Sequence, residues 1–119
     1  MTRIAYTSTL INELDLSKIS DHACKYNREM EITGAMIHKD KCLIQLLEGP
    51  KLKVIELAEK IKYDKRHKNF KVIISSDNHS RLFPDWGMAS FNNNSHYFKL
   101  IFDDEEKIIF LFSFEFLST

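Results

Sequence analysis

Gln45 stands in the middle of an otherwise apolar run, Cys42-Leu43-Ile44-Gln45-Leu46-Leu47-Glu48, and a primary amide placed there has to find hydrogen-bond partners. Leaving it unsatisfied would cost about 1–3 kcal/mol. The run Arg3-Ile4-Ala5-Tyr6-Thr7-Ser8 repeats the anomaly. Strand side chains alternate with period two, so Tyr6 and Ser8 share a face with Ile4, as Gln45 does with Leu43 and Leu47. A phenol, a hydroxyl and an amide can exchange protons and hydrogen bonds, or they can simply form a core Tyr–Gln hydrogen bond. Asn27 lies four residues after Ala23; it either continues a buried helical stripe or caps helix backbone groups. Lys60 and Asp64 are one helical turn apart, and the plain reading is an exposed ion pair worth under about 1 kcal/mol. Trp86 and Met88 share one strand face and read first as core filling.

These residues need elements to position them. After the first strand, Asp15 is a plausible N-cap for a helix over roughly 16–29, with the stripe Leu16, Ile19, Ala23. Glu31-Ile32-Thr33-Gly34 ends it, and a hairpin follows: Ala35–His38 and Leu43–Leu47 around Lys39-Asp40-Lys41. Pro50 starts a second helix, in which Val54, Ile55, Ala58, Ile61 and Lys62 set the helical period through about Tyr63. Phe70–Ile74 reads as a fourth strand, and Trp86–Phe91 as a fifth after the turn Phe83-Pro84-Asp85. The order βαββαββ predicts an α+β sandwich of ferredoxin-like type, one sheet with both helices on one face.

The tail reads two ways. Asp103-Asp104-Glu105-Glu106 suits a helix N-terminus, whereas the aromatic run with Phe110, Phe112, Phe114 and Phe116 suits a strand. A helix is favoured. So much apolar surface predicts an extension, residues 96–119, that packs on the sheet's free face or on a partner, following a main domain over 1–95.

At 119 residues the chain is sized for one domain with a proper core. Lys+Arg and Asp+Glu are both 17, so no electrostatic case exists for nucleic acid or an acidic membrane surface. Cys24 and Cys42 form no metal-ligand or disulfide spacing. No secretory signal or membrane-spanning run is visible, which predicts a soluble, cytoplasmic protein without a metal.

Taken together, the segments resemble the BLUF family, the blue-light sensors that use flavin. The matching text is Ile4-Ala5-Tyr6-Thr7-Ser8, Asn27 with Ile32-Thr33-Gly34, Ile44-Gln45-Leu46-Leu47-Glu48-Gly49-Pro50, Asp64-Lys65-Arg66-His67 and Phe83-Pro84-Asp85-Trp86-Gly87-Met88. Each fragment alone is weak; five in the family's order and spacing are strong. The resemblance covers about residues 2–92. It departs from the usual pattern at Lys41 and Leu43, where the hairpin often carries glycine and phenylalanine, at Lys60 in place of arginine, and at Gly87 in place of serine.

The resemblance implies a non-covalently bound flavin between the two helices: FAD, with FMN or riboflavin as alternatives. Asn27 would bond the carbonyl side of the ring, Gln45 would sit between Tyr6 and the ring, and Ser8 would lie beside them. Lys60, Asp64, Arg66 and His67 would approach the ring, ribityl chain or phosphates. Tyr6 would supply an electron and a proton after excitation, Gln45 would rearrange its hydrogen bonds, and Trp86 and Met88 would pass the change outwards. The implied protein is a photoreceptor and not an enzyme, acting through an unidentified protein partner or through its own homo-oligomer. Three rivals are a flavin-free interaction module of the same fold, a small acylphosphatase-like hydrolase and a flavin oxidoreductase. Thr7-Ser8-Thr9-Leu10 makes a poor phosphate loop, and a purely structural core would favour apolar residues at Tyr6, Asn27 and Gln45.

Overall fold

The structure, a computed structural model, describes residues 1–77, 81 and 89–92, the last four by their backbone. The turn at 83–85, Trp86, Met88 and the extension at 96–119 lie outside the described residues.

Strand β1, Thr2–Leu10, opens the chain and pairs antiparallel with β3, Cys42–Gly49. Strand β2, Thr33–Lys39, forms the expected hairpin with β3. Asp40 takes the left-handed backbone that this tight turn requires, at φ 54°. Strand β4, His67–Asp77, pairs with the other edge of β1, and β5, Ala89–Asn92, runs parallel to β2. Among the described residues the sheet order is β4-β1-β3-β2-β5. This is the ferredoxin-like arrangement, with β5 added at the β2 edge.

Helices α1, Leu16–Glu29, and α2, Lys51–Lys62, pack on the same face of the sheet. Val54 and Ala58 of α2 meet Ile4, Tyr6, Met36, Leu43 and Leu47, with Leu16 and Ala23 of α1 against the same cluster. Ile55 and Lys62 do not belong to that stripe: Ile55 is 40% exposed, and both turn towards solvent. The start of α1 also differs from expectation. Asp15 makes no side-chain capping bond; a 3₁₀ turn over Glu13–Asp15 precedes the helix, and Asn12 caps it by accepting from Leu14 N at 3.0 Å. An asparagine in extended backbone can reach that orphan amide, while Asp15 already has helical backbone angles.

Helix α1 ends in a Schellman motif. Glu31 adopts φ 60°, Ile32 N donates to Asn27 O at 2.8 Å, and Glu31 N to Arg28 O at 3.4 Å. Asn27 thus finishes the helix with its backbone, while its side chain is buried in the interior. The β2–β3 pairing is close at Gly34, where a Cβ would stand 1.9 Å from the Leu46 carbonyl oxygen. The glycine of the Ile32-Thr33-Gly34 motif is therefore a packing requirement.

The second face of the sheet is buried too. Ala5, Ala35, Ile37, Ile44 and Leu46 are all closed to solvent there, together with the ion pair of Arg3 and Glu48.

Candidate functional site

The β1–β3 register sets Tyr6 directly opposite Gln45. Both are 2% exposed, and the Tyr6 hydroxyl donates to Gln45 Oε1. The buried amide that the sequence places on an apolar strand is thus met by the phenol that β1 carries at the matching position. Burial pushes the Tyr6 pKa far above its ordinary value, with the Asp64 charge as a smaller cause. The phenol is therefore a neutral proton donor.

A cavity of about 460 Å³ opens above this pair, between α1 and α2. Tyr6, Asn27, Gln45, Lys60, Asp64, Arg66 and His67 all line it, with apolar wall from Leu10, Ile19, Leu43, Leu57 and Ile61. The volume falls in the range of sites for drug-sized ligands, and the mix of apolar wall with a few convergent polar groups is the usual composition of such sites. Asn27 is 1% exposed. Ser8 shares the face and is fully buried, but it does not line the cavity; its Oγ has no hydrogen-bond partner among the described residues.

At the rim, the Arg66 guanidinium grips Asp64, with Nη2–Oδ2 at 2.6 Å and Nε–Oδ1 at 3.0 Å, and its backbone N donates to Oδ1 at 2.9 Å. The guanidinium holds the Asp64 carboxyl below its ordinary range, and Asp64 in turn raises Arg66. Lys60 does not pair with Asp64. Its Nζ reaches Tyr26 Oη at 3.3 Å and Glu56 Oε1 at 3.5 Å, and lies 5.0 Å from the centre of the Tyr26 ring. The long lysine stem follows its own helix and crosses to α1, while the shorter aspartate is taken by the nearer arginine fork. His67 Nε2 is bonded to the Ile61 carbonyl, and because a carbonyl only accepts, that nitrogen carries the proton.

His67 reaches the cavity because β4 is irregular. Its pairing with β1 slips between Ala5 and Tyr6 and again between Thr7 and Thr9. The second slip contains Asn69, at φ 56°. A one-residue slip reverses the face of every residue beyond it. With both slips, Phe70 and His67 each lie on the helix-bearing face, Phe70 4.7 Å from the Tyr6 ring and 6.0 Å from that of His67.

Tyr26 in the cavity wall and Phe70 against the Tyr6 ring are among the residues that sequence reasoning missed. Tyr26 could have been found, since it stands seven residues after Ile19 on the helical stripe. Phe70 depends on the slips, which leave no signal in residue alternation.

An elongated aromatic ligand with a polar edge fits these residues. Asn27 and Gln45 offer amides at the depth of the cavity, the apolar wall would cover ring faces, and the charged groups sit at the rim. The described residues contain no cluster able to hold a metal ion.

Comparison with known proteins agrees. The family described as BLUF, sensors of blue-light using FAD, matches residues 1–89. The chain is 32% identical over 91 residues to the photoactivated adenylate cyclase subunit beta of Euglena gracilis, a match taking in 76% of the chain and 11% of that protein. It therefore spans about a tenth of the length of the curated relatives it matches. Among solved structures, BlsA in its photo-activated state superposes with a TM-score of 0.76 at 28% identity, over 90% of this chain and 80% of that one. A bacterial light-regulated adenylyl cyclase gives 0.74 at 29% identity, over 92% of this chain and 33% of that one. With the buried Tyr6–Gln45 pair beneath a cavity of flavin-like composition, these matches make the chain a member of the BLUF family of flavin-binding blue-light sensors.

Proposed function

We propose that the sensor holds FAD and that light sensing runs through Tyr6 and Gln45. The observation that carries this reading is their hydrogen bond at the floor of the cavity. A flavin excited by blue light is a strong one-electron oxidant. Tyr6 gives up one electron, and its hydroxyl proton passes to Gln45 Oε1, the atom it already faces. Gln45 has a carbonyl acceptor at one end and an NH₂ donor at the other, so protonation or rotation of the amide exchanges what it presents to the ligand. Electron and proton return to Tyr6 once the amide has rearranged, so no net chemistry results, and the rearranged amide reverts in the dark.

Asn27 anchors the ring from α1. Lys60 and the Asp64–Arg66 pair serve the polar end, where a cation suits phosphate and favours a flavin nucleotide over riboflavin. The outward path through Trp86 and Met88 rests on the sequence alone. Signalling passes to a separate protein or to a second copy of the chain, with residues 96–119 as the segment covering the buried second face of the sheet or meeting the partner. Cys24 and Cys42 form no disulfide among the described residues, in keeping with a cytoplasmic setting. No described helix is long and apolar enough to cross a membrane.

Absorption spectroscopy tests the reading. Protein purified with its flavin shows a small, reversible red shift under blue light; Tyr6→Phe and Gln45→Leu keep the flavin and lose the shift. Asn27→Ala weakens flavin binding. A normal photocycle in Gln45→Leu refutes the mechanism, and release of the ligand by denaturation followed by chromatography distinguishes FAD from FMN.

A further inference from the structure

Tyr6 is held at two points. Its hydroxyl bonds to Gln45, and its ring lies against Phe70, centroids 4.7 Å apart with planes tilted by 33°. The core cluster already confines the ring; Phe70 adds an aromatic neighbour that fixes its remaining wall. Phe70 is itself braced by the edge of His67, 6.0 Å away at 86°, whose Nε2 is tied to the end of α2 at Ile61 O. A braced line of three rings thus runs from the end of α2 to the phenol.

The placement is costly to arrange. Phe70 comes from the edge strand of the described sheet, and the slip between Ala5 and Tyr6 is what turns it to the same face as Tyr6. Regular pairing would put Phe70 on the opposite face. Filling space would ask only for an aliphatic residue, whereas a ring in this contact also offers a π cloud.

We infer that Phe70 is a positioning residue for Tyr6, setting through ring contact how readily the phenol donates its electron; this rests on the reading of Tyr6 as donor. When one electron leaves Tyr6 for the excited flavin and the hydroxyl proton passes to Gln45, positive charge develops first on the Tyr6 ring. The electron-rich face of a neighbouring ring stabilises that charge, as it does any cation. Both particles return to Tyr6 once the Gln45 amide has rearranged, so Phe70 is not consumed.

The test compares Phe70→Leu with protein carrying pentafluorophenylalanine at position 70, which keeps nearly the same shape but reverses the ring's charge distribution. The fluorescence lifetime of bound flavin, shortened by electron transfer from Tyr6, is expected to lengthen roughly twofold to tenfold in both. Flavin content and melting temperature of the fluorinated protein stay near wild type. In flavin-free protein, nuclear magnetic resonance shows the ring-current shift of the Tyr6 ring protons lost in Phe70→Leu. Should Phe70→Leu fail to fold, the fluorinated ring decides alone. A wild-type lifetime there, with a long one in Tyr6→Phe, overturns the inference. A wild-type lifetime in Tyr6→Phe instead overturns the donor reading beneath it.

Discussion

Arg3 and Glu48 face each other across β1 and β3 on the side of the sheet away from the helices, with Nε 3.0 Å from Oε1. The Glu48 side chain is 1% exposed. Each charge in so dry a place gains from the other's proximity. Replacing either residue alone by alanine is expected to cost up to about 3–5 kcal/mol, because it takes a close partner from a buried charge. The double change Arg3→Met with Glu48→Leu should recover most of that loss. Urea midpoints of the three variants measure it, and the flavin absorption of any variant that folds should be unchanged, since the pair lies on the other face from the cavity.

Gly34→Ala should be far more damaging than its size suggests. The new methyl would stand 1.9 Å from the Leu46 carbonyl oxygen, a backbone atom that cannot step aside. Strand β2 would have to leave β3, at a cost of roughly 3 kcal/mol or more. A thermal melt reads the loss, and flavin retention should fall with it because Gln45 lies on β3 beside the disturbed pairing.

Acid should release the flavin through the Asp64–Arg66 pair. Hydrogen bonding to Arg66 lowers the Asp64 pKa from its ordinary value of 3.8. A depressed pKa contributes stability at pH above the unfolded value, and that contribution disappears as the pH falls below 3.8 through the folded one. Arg66→Gln returns Asp64 towards its ordinary value and should move flavin release to higher pH. The rise in free-flavin fluorescence on acid titration reports it.

At the alkaline end, the buried Tyr6 phenol is pushed far above its ordinary value of 10.0. The amplitude of the light-induced red shift should stay flat through the region near pH 10 where exposed tyrosines ionise. A fall in amplitude tracking pH 10 would show that water reaches the phenol.

Deleting residues 96–119 tests what covers the second face. If that segment is the cover, Ile37, Ile44 and Leu46 become exposed, and dye binding to apolar surface and aggregation should both rise. Unchanged dye binding and a monodisperse elution profile would assign the extension to partner contact.

Much of this arrangement was legible in the residues. Period two put Tyr6 and Gln45 on matching faces, and period 3.6 put Asn27 beneath α1, because both follow from local geometry. The ends of elements were harder. Asn12 took the capping role read for Asp15, since the choice depended on a 3₁₀ turn that the apolar stripe does not announce. Lys60 found Tyr26 and Glu56, because a long flexible side chain selects its partner in three dimensions. His67 was identified by motif alone: nothing in the pattern of β4 shows that residues three apart share a face. The slips at that strand are a property of its pairing with β1, not of its composition.

Those slips also bear on assembly. Among the described residues strand β4 forms a border of the sheet, where unsatisfied backbone groups would otherwise invite another strand to join. A newcomer would have to mirror two irregularities, one of them built on the left-handed Asn69. The kinks that aim aromatic rings inward therefore also guard this border, discouraging copies of the protein from stitching edge to edge as its concentration rises in the cell.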